Sequence, residues 1–486
     1  MSKKPRTAIT PIRADDFPQW YQEVIKAANL AENSPVRGCM IIKPYGYAAW
    51  ENMQRIFDGM IKKLGVQNAY FPLLIPLSFI SREADHVDGF AKECAVVTHH
   101  RLEKNPDGEG LRPAPAAELE EPYVIRPTSE TIIGDSMSKW IQSYRDLPLK
   151  LNQWCNVMRW EMRPRLFLRT SEFLWQEGHN AFETEDGARE DTHKMLEAYA
   201  TFAEESLAIP VIKGEKTADE RFPGADMTLT IEAMMQDGKA LQAGTSHYLG
   251  QNFAKSCGIK FLGREGAEQF AYTTSWGIST RLVGAMIMTH GDDDGMIMPP
   301  RIAPHQVGII PIIRDDADTD KIMNYAQGLV DKLEERGIRV HLDASENRTG
   351  DKMWGMIKQG VPIRVEIGGR EVDDGTLTHV RRDLGRDSKA SCSVDEFAES
   401  AQGILDAIHD ELFNRAKTLR DENIHDVTDL AALDEFFKAE RIGFARIDSA
   451  LIEDAEYERI CKSYSLTSRC LPFSDDGTKV LVGKAY

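Results

Sequence analysis

The chain has 486 residues, 42% hydrophobic and 28% charged, with a formal charge of −18. That balance favours globular folding over long disorder, and the length implies about three units rather than one core. The longest apolar run, Tyr70 to Ile80, is broken by Pro72 and Pro76 and is too short to cross a bilayer.

The N-terminal Met1-Ser2-Lys3-Lys4-Pro5 is followed by no apolar stretch, so no secretory signal is expected and the expected compartment is the cytoplasm. Residues 47 to 64 place Trp50, Met53, Phe57, Met60 and Leu64 at spacings of three and four, one face of a helix that Gly65 ends. Asn68 to Pro76 reads as a strand, and 100 to 121 as an exposed loop. Two β-type runs, Leu151 to Trp160 and Phe173 to Phe182, read as a long-looped antiparallel pair. Between Cys155 and Thr170, Arg159, Arg163, Arg165 and Arg169 face only Glu161, a local basic stretch in an acidic chain.

An amphipathic helix is expected over 186 to 207. A hairpin over 226 to 247 turns at Asp237-Gly238. Ser275 to Gly291 reads as a strand end followed by a helix. The segment Gly291 to Pro304 is the expected linker, after which strands at Val307 to Ile313, Ile338 to Leu342 and Val361 to Ile367 alternate with helices. That alternation predicts a parallel α/β unit. Ser393 and Glu396 have capping-box spacing for a long helix, and the tail reads as a third, smaller α+β unit. The expected domains are 1–298, 299–405 and 406–486.

Joining a carboxylate to ATP requires cations that stabilise charge on the α-phosphate, and Arg159 and Arg281 are the candidates. Glu161 offers an edge acceptor for adenine and Phe173 a stacking surface. The run Arg159-Trp160-Glu161 followed by Phe167 to His179 resembles motif 2 of the class II aminoacyl-tRNA synthetases, specifically of the prolyl type. Gly277 to Arg281 is similar to motif 3, and the helix from Tyr47 with the strand ending at Pro76 is similar to motif 1, a dimer-forming element in that family. Arg126-Pro127-Thr128-Ser129-Glu130 resembles the Thr-x-Glu loop that holds the amino group, and Ala240 to His247 the loop lining the prolyl pocket.

The resemblance spans about residue 15 to the C-terminus and is of the archaeal and eukaryotic-like type, without an inserted editing domain. It implies an antiparallel catalytic sheet, an α/β anticodon-binding domain, a small α+β C-terminal domain, and ligation of L-proline to tRNA(Pro) with ATP and Mg²⁺ by a homodimer. Arg159, Glu161, Arg169, Thr170, Phe173, Gln242, Thr245, Thr280 and Arg281 are then expected at ATP. Thr128, Glu130, Arg159, Trp175, His179, His247 and Ser279 are expected at proline; Arg364, Glu366, Arg370, Arg381 and Arg382 are expected at the anticodon. The resemblance leaves Glu161 and Glu172 open between metal and adenine.

Family members often carry four zinc-binding cysteines in the tail, whereas here only Cys461 and Cys470 stand there. Two ligands do not make a tetrahedral site, so no bound zinc is expected. A threonyl or histidyl enzyme is disfavoured because no zinc-ligand set appears in the pocket motifs. A non-catalytic paralogue is disfavoured because Thr128, Glu130, Arg159 and Arg281 are all present.

Overall fold

The computed structural model describes residues 7–81, 94–313 and 318–486. Its centre is an eleven-stranded sheet whose order, by residues, is 424–426, 444–448, 479–483, 467–472, 211–215, 227–234, 240–250, 272–279, 172–182, 149–158 and 67–68. The six central strands from Val211–Glu215 to Leu149–Met158 are antiparallel, and the edge strand Gln67–Asn68 runs parallel to its neighbour. The helix Glu185–Leu207 lies across one face, started by Thr184 accepting from Gly187 N–H and by two acidic residues in its first turn.

The helix Pro44–Lys63 packs on the same core. It buries Trp50, Met53, Phe57 and Ile61, while Met60 and Leu64 are only half-buried. The true 3.6-residue period carries the stripe from Phe57 to Ile61 rather than to Met60. The strand expected over Asn68 to Pro76 is two pieces. Gln67–Asn68 joins the large sheet, whereas Leu74–Pro76 pairs with Glu118–Ile125 in a separate three-stranded sheet. Pro72, with no N–H to donate, lies between them. The loop expected over 100 to 121 contains a small hairpin, Leu102–Lys104 with Leu111–Pro113.

The hairpin at Asp237-Gly238 forms as its residues require: Gly238 has φ +77°, a left-handed conformation that favours glycine. The second unit departs from the parallel expectation. In its five-stranded sheet Val307–Ile312, Val340–Leu342 and Ile363–Gly368 are parallel, but Thr376–Arg381 and Ala390–Ser393 return antiparallel. After the third strand only the six-residue helix Gly369–Asp374 and a turn at Gly385–Ser388 intervene, so the last two strands join by short connections. Ser393 and Glu396 form the reciprocal capping box, and the helix they start runs unbroken to Glu422. The boundary expected at 405/406 therefore falls inside one helix.

The C-terminal segment is not a separate layer. Its strand Thr467–Pro472 pairs with Val211–Glu215 through Gly214↔Pro472 and Glu215↔Leu471, making the tail continuous with the central sheet. Tyr486 completes the join: its N–H donates to Ala240 O at 3.0 Å and its hydroxyl to Asp237 at 2.6 Å. Among the described residues no helix is long and apolar enough to cross a membrane.

Candidate active site

Period-two alternation directs one set of side chains from four neighbouring strands toward one face of the sheet. The register aligns Glu177, Gly277, Thr245 and Thr230 in one row across them, and His179, Ser275, His247 and Thr228 in the next. All of these residues except Thr230 line a cavity of about 300 Å³. Of the residues expected at the two ligands, Thr128, Glu130, Arg159, Phe173, Trp175, His179, Gln242, Thr245, His247, Ser279 and Arg281 line it.

Four expected residues are not among the lining. Glu161 lies 3.5 Å from Arg169 and accepts from the Arg163 N–H. Thr170 donates to Glu172 O at 2.7 Å, and Thr280 is buried as the N-cap of the helix Arg281–His290. Glu172 accepts from Asn156 at 2.8 Å.

Carboxylates and imidazoles gather in the cavity. Thr128 donates to Glu130 at 2.5 Å. Glu177, a residue whose role was not legible in the sequence, lines the cavity and accepts from Ser129 at 2.5 Å, Gln153 at 2.6 Å and the Cys155 thiol at 3.4 Å, with His179 Nε2 at 3.0 Å. Burial opposes the Glu177 charge, but the bonds from His179, Ser129 and Gln153 outweigh it and hold the carboxyl below its usual range. Burial likewise opposes protonation of His179, and Glu177 with Glu130 outweighs it, so the His179 pKa is raised.

His247 behaves in the opposite way. Burial, helped by the His179 cation, pushes its pKa down to about 3. The Thr228 hydroxyl lies 3.0 Å from His247 Nδ1 and also accepts from the Phe222 N–H at 3.0 Å. The two contacts fix the ring's orientation through Nδ1. Phe222 packs against His247 at a tilt, ring centroids 4.4 Å apart. The segment Glu220 to Pro223 forms a further wall that sequence patterning did not reveal, since it is a short irregular stretch without periodicity.

Two guanidinium groups, Arg159 and Arg281, share the same cavity. Arg159 donates Nε–H to Pro127 O at 3.0 Å and lies over Phe173 and Trp175, 5.6 and 5.3 Å from their centroids. Trp175 is held in turn by its indole N–H on the Cys155 sulfur at 3.3 Å. Burial lowers the pKa of Arg281 to about 10, with Arg159 and Arg169 adding to the effect. Its backbone N–H donates to Ser279 at 3.2 Å and its Nε–H to Leu168 O at 3.4 Å. Among the described residues no carboxylate lies within ion-pair distance of Arg281. A half-buried guanidinium without a carboxylate partner favours an anion.

In the second unit Arg364 and Glu366 are buried on one strand face, 3.1 Å apart, and Lys389 lies 3.4 Å from Glu366. The other three residues expected with them are elsewhere. Arg381 pairs with Asp383 and stands opposite Ile363, on the other face of the sheet. Arg370 is exposed on a helix, 3.7 Å from Asp374. Arg382 makes a two-point contact with Asp292 at 2.7 and 2.6 Å and donates to Ile357 O, which places it at the joint with the first unit. The fork geometry of its guanidinium suits the Asp292 carboxylate, and that contact leaves its side chain almost fully covered.

Cys461 and Cys470 pack in different apolar clusters, and burial raises both thiol pKa values. Among the described residues no three His, Cys, Asp or Glu side chains gather as a metal site.

The chain matches the class II tRNA synthetase core domain (G, H, P, S and T) over residues 115–290 and the anticodon-binding domain over 306–403. It is 53% identical over 489 residues to a proline–tRNA ligase of Bdellovibrio bacteriovorus, covering 98% of this chain and 97% of the relative. A proline–tRNA ligase of Rhodopirellula baltica is also 53% identical, over 100% and 97% of the two chains. The crystal structure of prolyl-tRNA synthetase from Cryptosporidium parvum, complexed with halofuginone and AMPPNP, superposes with a TM-score of 0.89 at 35% identity and covers 99% of each chain.

Proposed function

Because the chain belongs to the proline–tRNA ligase family of class II aminoacyl-tRNA synthetases, we propose that its cavity activates L-proline with ATP and passes the prolyl group to tRNA(Pro). The observation that carries this assignment of roles is that one cavity gathers Glu130, Glu177 and His179 together with Arg159 and Arg281, with Arg159 in electrostatic reach of Glu130 and Glu177 and also of Arg281. Glu130 and Thr128 take the secondary ammonium. Trp175, Phe222 and the neutral His247 enclose the pyrrolidine ring, a compact apolar body that needs aromatic walls.

The proline carboxylate attacks the α-phosphate and expels pyrophosphate, forming prolyl-adenylate, and Arg159 and Arg281 stabilise the charge that develops there. Gln242 and Thr245 lie beside the nucleotide and Ser279 beside proline, Phe173 stacks on adenine, and Glu161, Arg169, Thr170 and Thr280 border the nucleotide. Mg²⁺ bound with ATP would offset phosphate charge, and Glu161 or Glu172 would be the carboxylates to hold it. The terminal hydroxyl of tRNA then attacks the prolyl carbonyl and releases AMP. Arg364, Glu366 and Lys389 form the group suited to base edges of the anticodon, because Arg and Glu read guanine and cytosine respectively.

A second copy of the chain fits the motif 1 region, where Tyr70, Leu74, Leu77 and Val96 leave an exposed apolar stretch. We place the activity in the cytoplasm. The test is ATP–pyrophosphate exchange with each amino acid in turn. Proline should be the preferred substrate, and Arg159→Ala or Arg281→Ala should lower exchange by roughly 10²-fold, the scale of one transition-state donor. Near-normal exchange in either variant would refute the roles given to the two arginines.

A further inference from the structure

The strand Thr467–Pro472 brings more than backbone pairing to the central sheet. Between it and Met227–Met234 lies a cluster of three charged side chains. One oxygen of Glu232 accepts from Lys216 Nζ at 2.8 Å and from Thr230 at 3.0 Å; the other accepts from Arg469 Nη2 at 2.8 Å and Nε at 3.1 Å. Arg469 Nη1 donates to Thr467 at 2.6 Å, and the Thr217 and Ser468 hydroxyls meet alongside at 2.6 Å. Glu232, Lys216 and Arg469 are 0%, 2% and 5% exposed.

A joint between two segments does not need this. Buried ion clusters are costly to desolvate, and apolar replacements are often as stable or more so. Two cations on one carboxylate also leave the cluster with one positive charge in excess. The register suggests what that charge serves. Glu232 stands opposite Gln242, and Thr230 opposite Thr245, on the face that floors the cavity. The charges of Glu232 and Arg469 both act on Arg281.

The geometry points to Arg469 and Lys216 as positioning residues of the adenylation site: they occupy both oxygens of Glu232, keep it from neutralising Arg281, and leave one positive charge beneath the triphosphate. This rests on the reading of Gln242 and Arg281 as the nucleotide end. It makes the C-terminal segment an electrostatic part of the ATP site, supplied from more than two hundred residues away in sequence.

The experiment is ATP–pyrophosphate exchange with the full-length chain, resolving KM for ATP from KM for proline. Arg469→Gln should raise KM for ATP about tenfold, the scale of one charge-assisted hydrogen bond, with KM for proline held within about twofold. Arg469→Lys keeps the charge and should return most of the ATP affinity. The double variant Glu232→Gln/Arg469→Gln restores the single excess positive charge through Lys216 and should recover it as well, which a packing defect would not do.

An unchanged KM for ATP in Arg469→Gln, an equal rise for both substrates, or no recovery in the double variant would overturn the inference and leave a structural joint. If Arg469→Gln does not fold, Thr467→Val decides. That change removes only the acceptor that fixes Arg469 Nη1 and should raise KM for ATP about twofold to threefold; no rise would be equally decisive against the idea. Arg281→Ala separates the two levels: an unchanged KM for ATP there would defeat the nucleotide-end reading itself.

Discussion

Gly178 sits between Glu177 and His179 and faces Trp276 across the strand pair. A Cβ added there would lie 1.9, 2.1 and 2.4 Å from three atoms of the Trp276 indole. Carbon atoms pack best at roughly 3.5–4.0 Å, so the ring would have to retreat by about 1.5 Å. It has little room to do so. Trp276 is buried against Tyr199, centroids 6.1 Å apart, and Tyr199 stacks on Phe57 at 5.1 Å.

Overpacking a filled core costs about 1–3 kcal/mol, and three ring atoms inside contact distance place Gly178→Ala near 3 kcal/mol. The displacement falls on the strand that carries Glu177 and His179, so proline binding should weaken along with stability. The assay is the thermal midpoint together with kcat/KM for proline in exchange. Gly178→Ala should lower both, and adding Trp276→Leu, which vacates the indole's space, should return part of the stability. A Gly178→Ala protein with an unchanged midpoint and unchanged kcat/KM would refute the packing argument.

Acid sensitivity supplies a second expectation, because burial pushes the His290 pKa down to about 4 while the unfolded chain protonates near ~6.5. The unfolded state then binds the extra proton, so stability falls as pH drops from about 6.5 toward 4, by up to ~1.4 kcal/mol per pH unit. His290→Gln keeps a donor for Leu207 O, which His290 Nε2 meets at 2.8 Å, and should flatten the denaturation midpoint in that window; an unaltered pH slope would count against it. His179, with its raised pKa, acts in the opposite sense, its contribution whole below about 6.5 and lost as pH climbs through the raised value. Arg382→Ala should lower the unfolding midpoint, by about 1–3 kcal/mol for a carboxylate left without its partner, while exchange at saturating substrates stays within about twofold. A raised KM for tRNA with no loss of stability would instead return Arg382 to the anticodon. Elemental analysis of the purified protein should find less than one zinc per chain, and one tightly held zinc would mean that ligands beyond Cys461 and Cys470 complete a site.

The hairpin turn at Asp237-Gly238, the capping box at Ser393 and Glu396, and the helix that buries Trp50, Met53 and Phe57 were legible because each depends on residues a few positions apart. Arg159, Arg281 and Glu130 were singled out by their motifs, and the structure brings all three to one cavity. Partner choice is different. Periodicity tells which face of a strand is apolar but not which strand lies beside it, and only the assembled sheet aligned Glu177 with Gly277 and His179 with Ser275. It was likewise the tertiary structure that drew Arg382 to Asp292, set Lys389 beside Glu366, and joined Thr467–Pro472 to Val211–Glu215 with Arg469 on Glu232. Local sequence determines conformation and chemical repertoire through short-range sterics and hydrogen bonds; which charge meets which is decided by long-range packing, where burial makes the right partner worth several kcal/mol and the wrong one prohibitive.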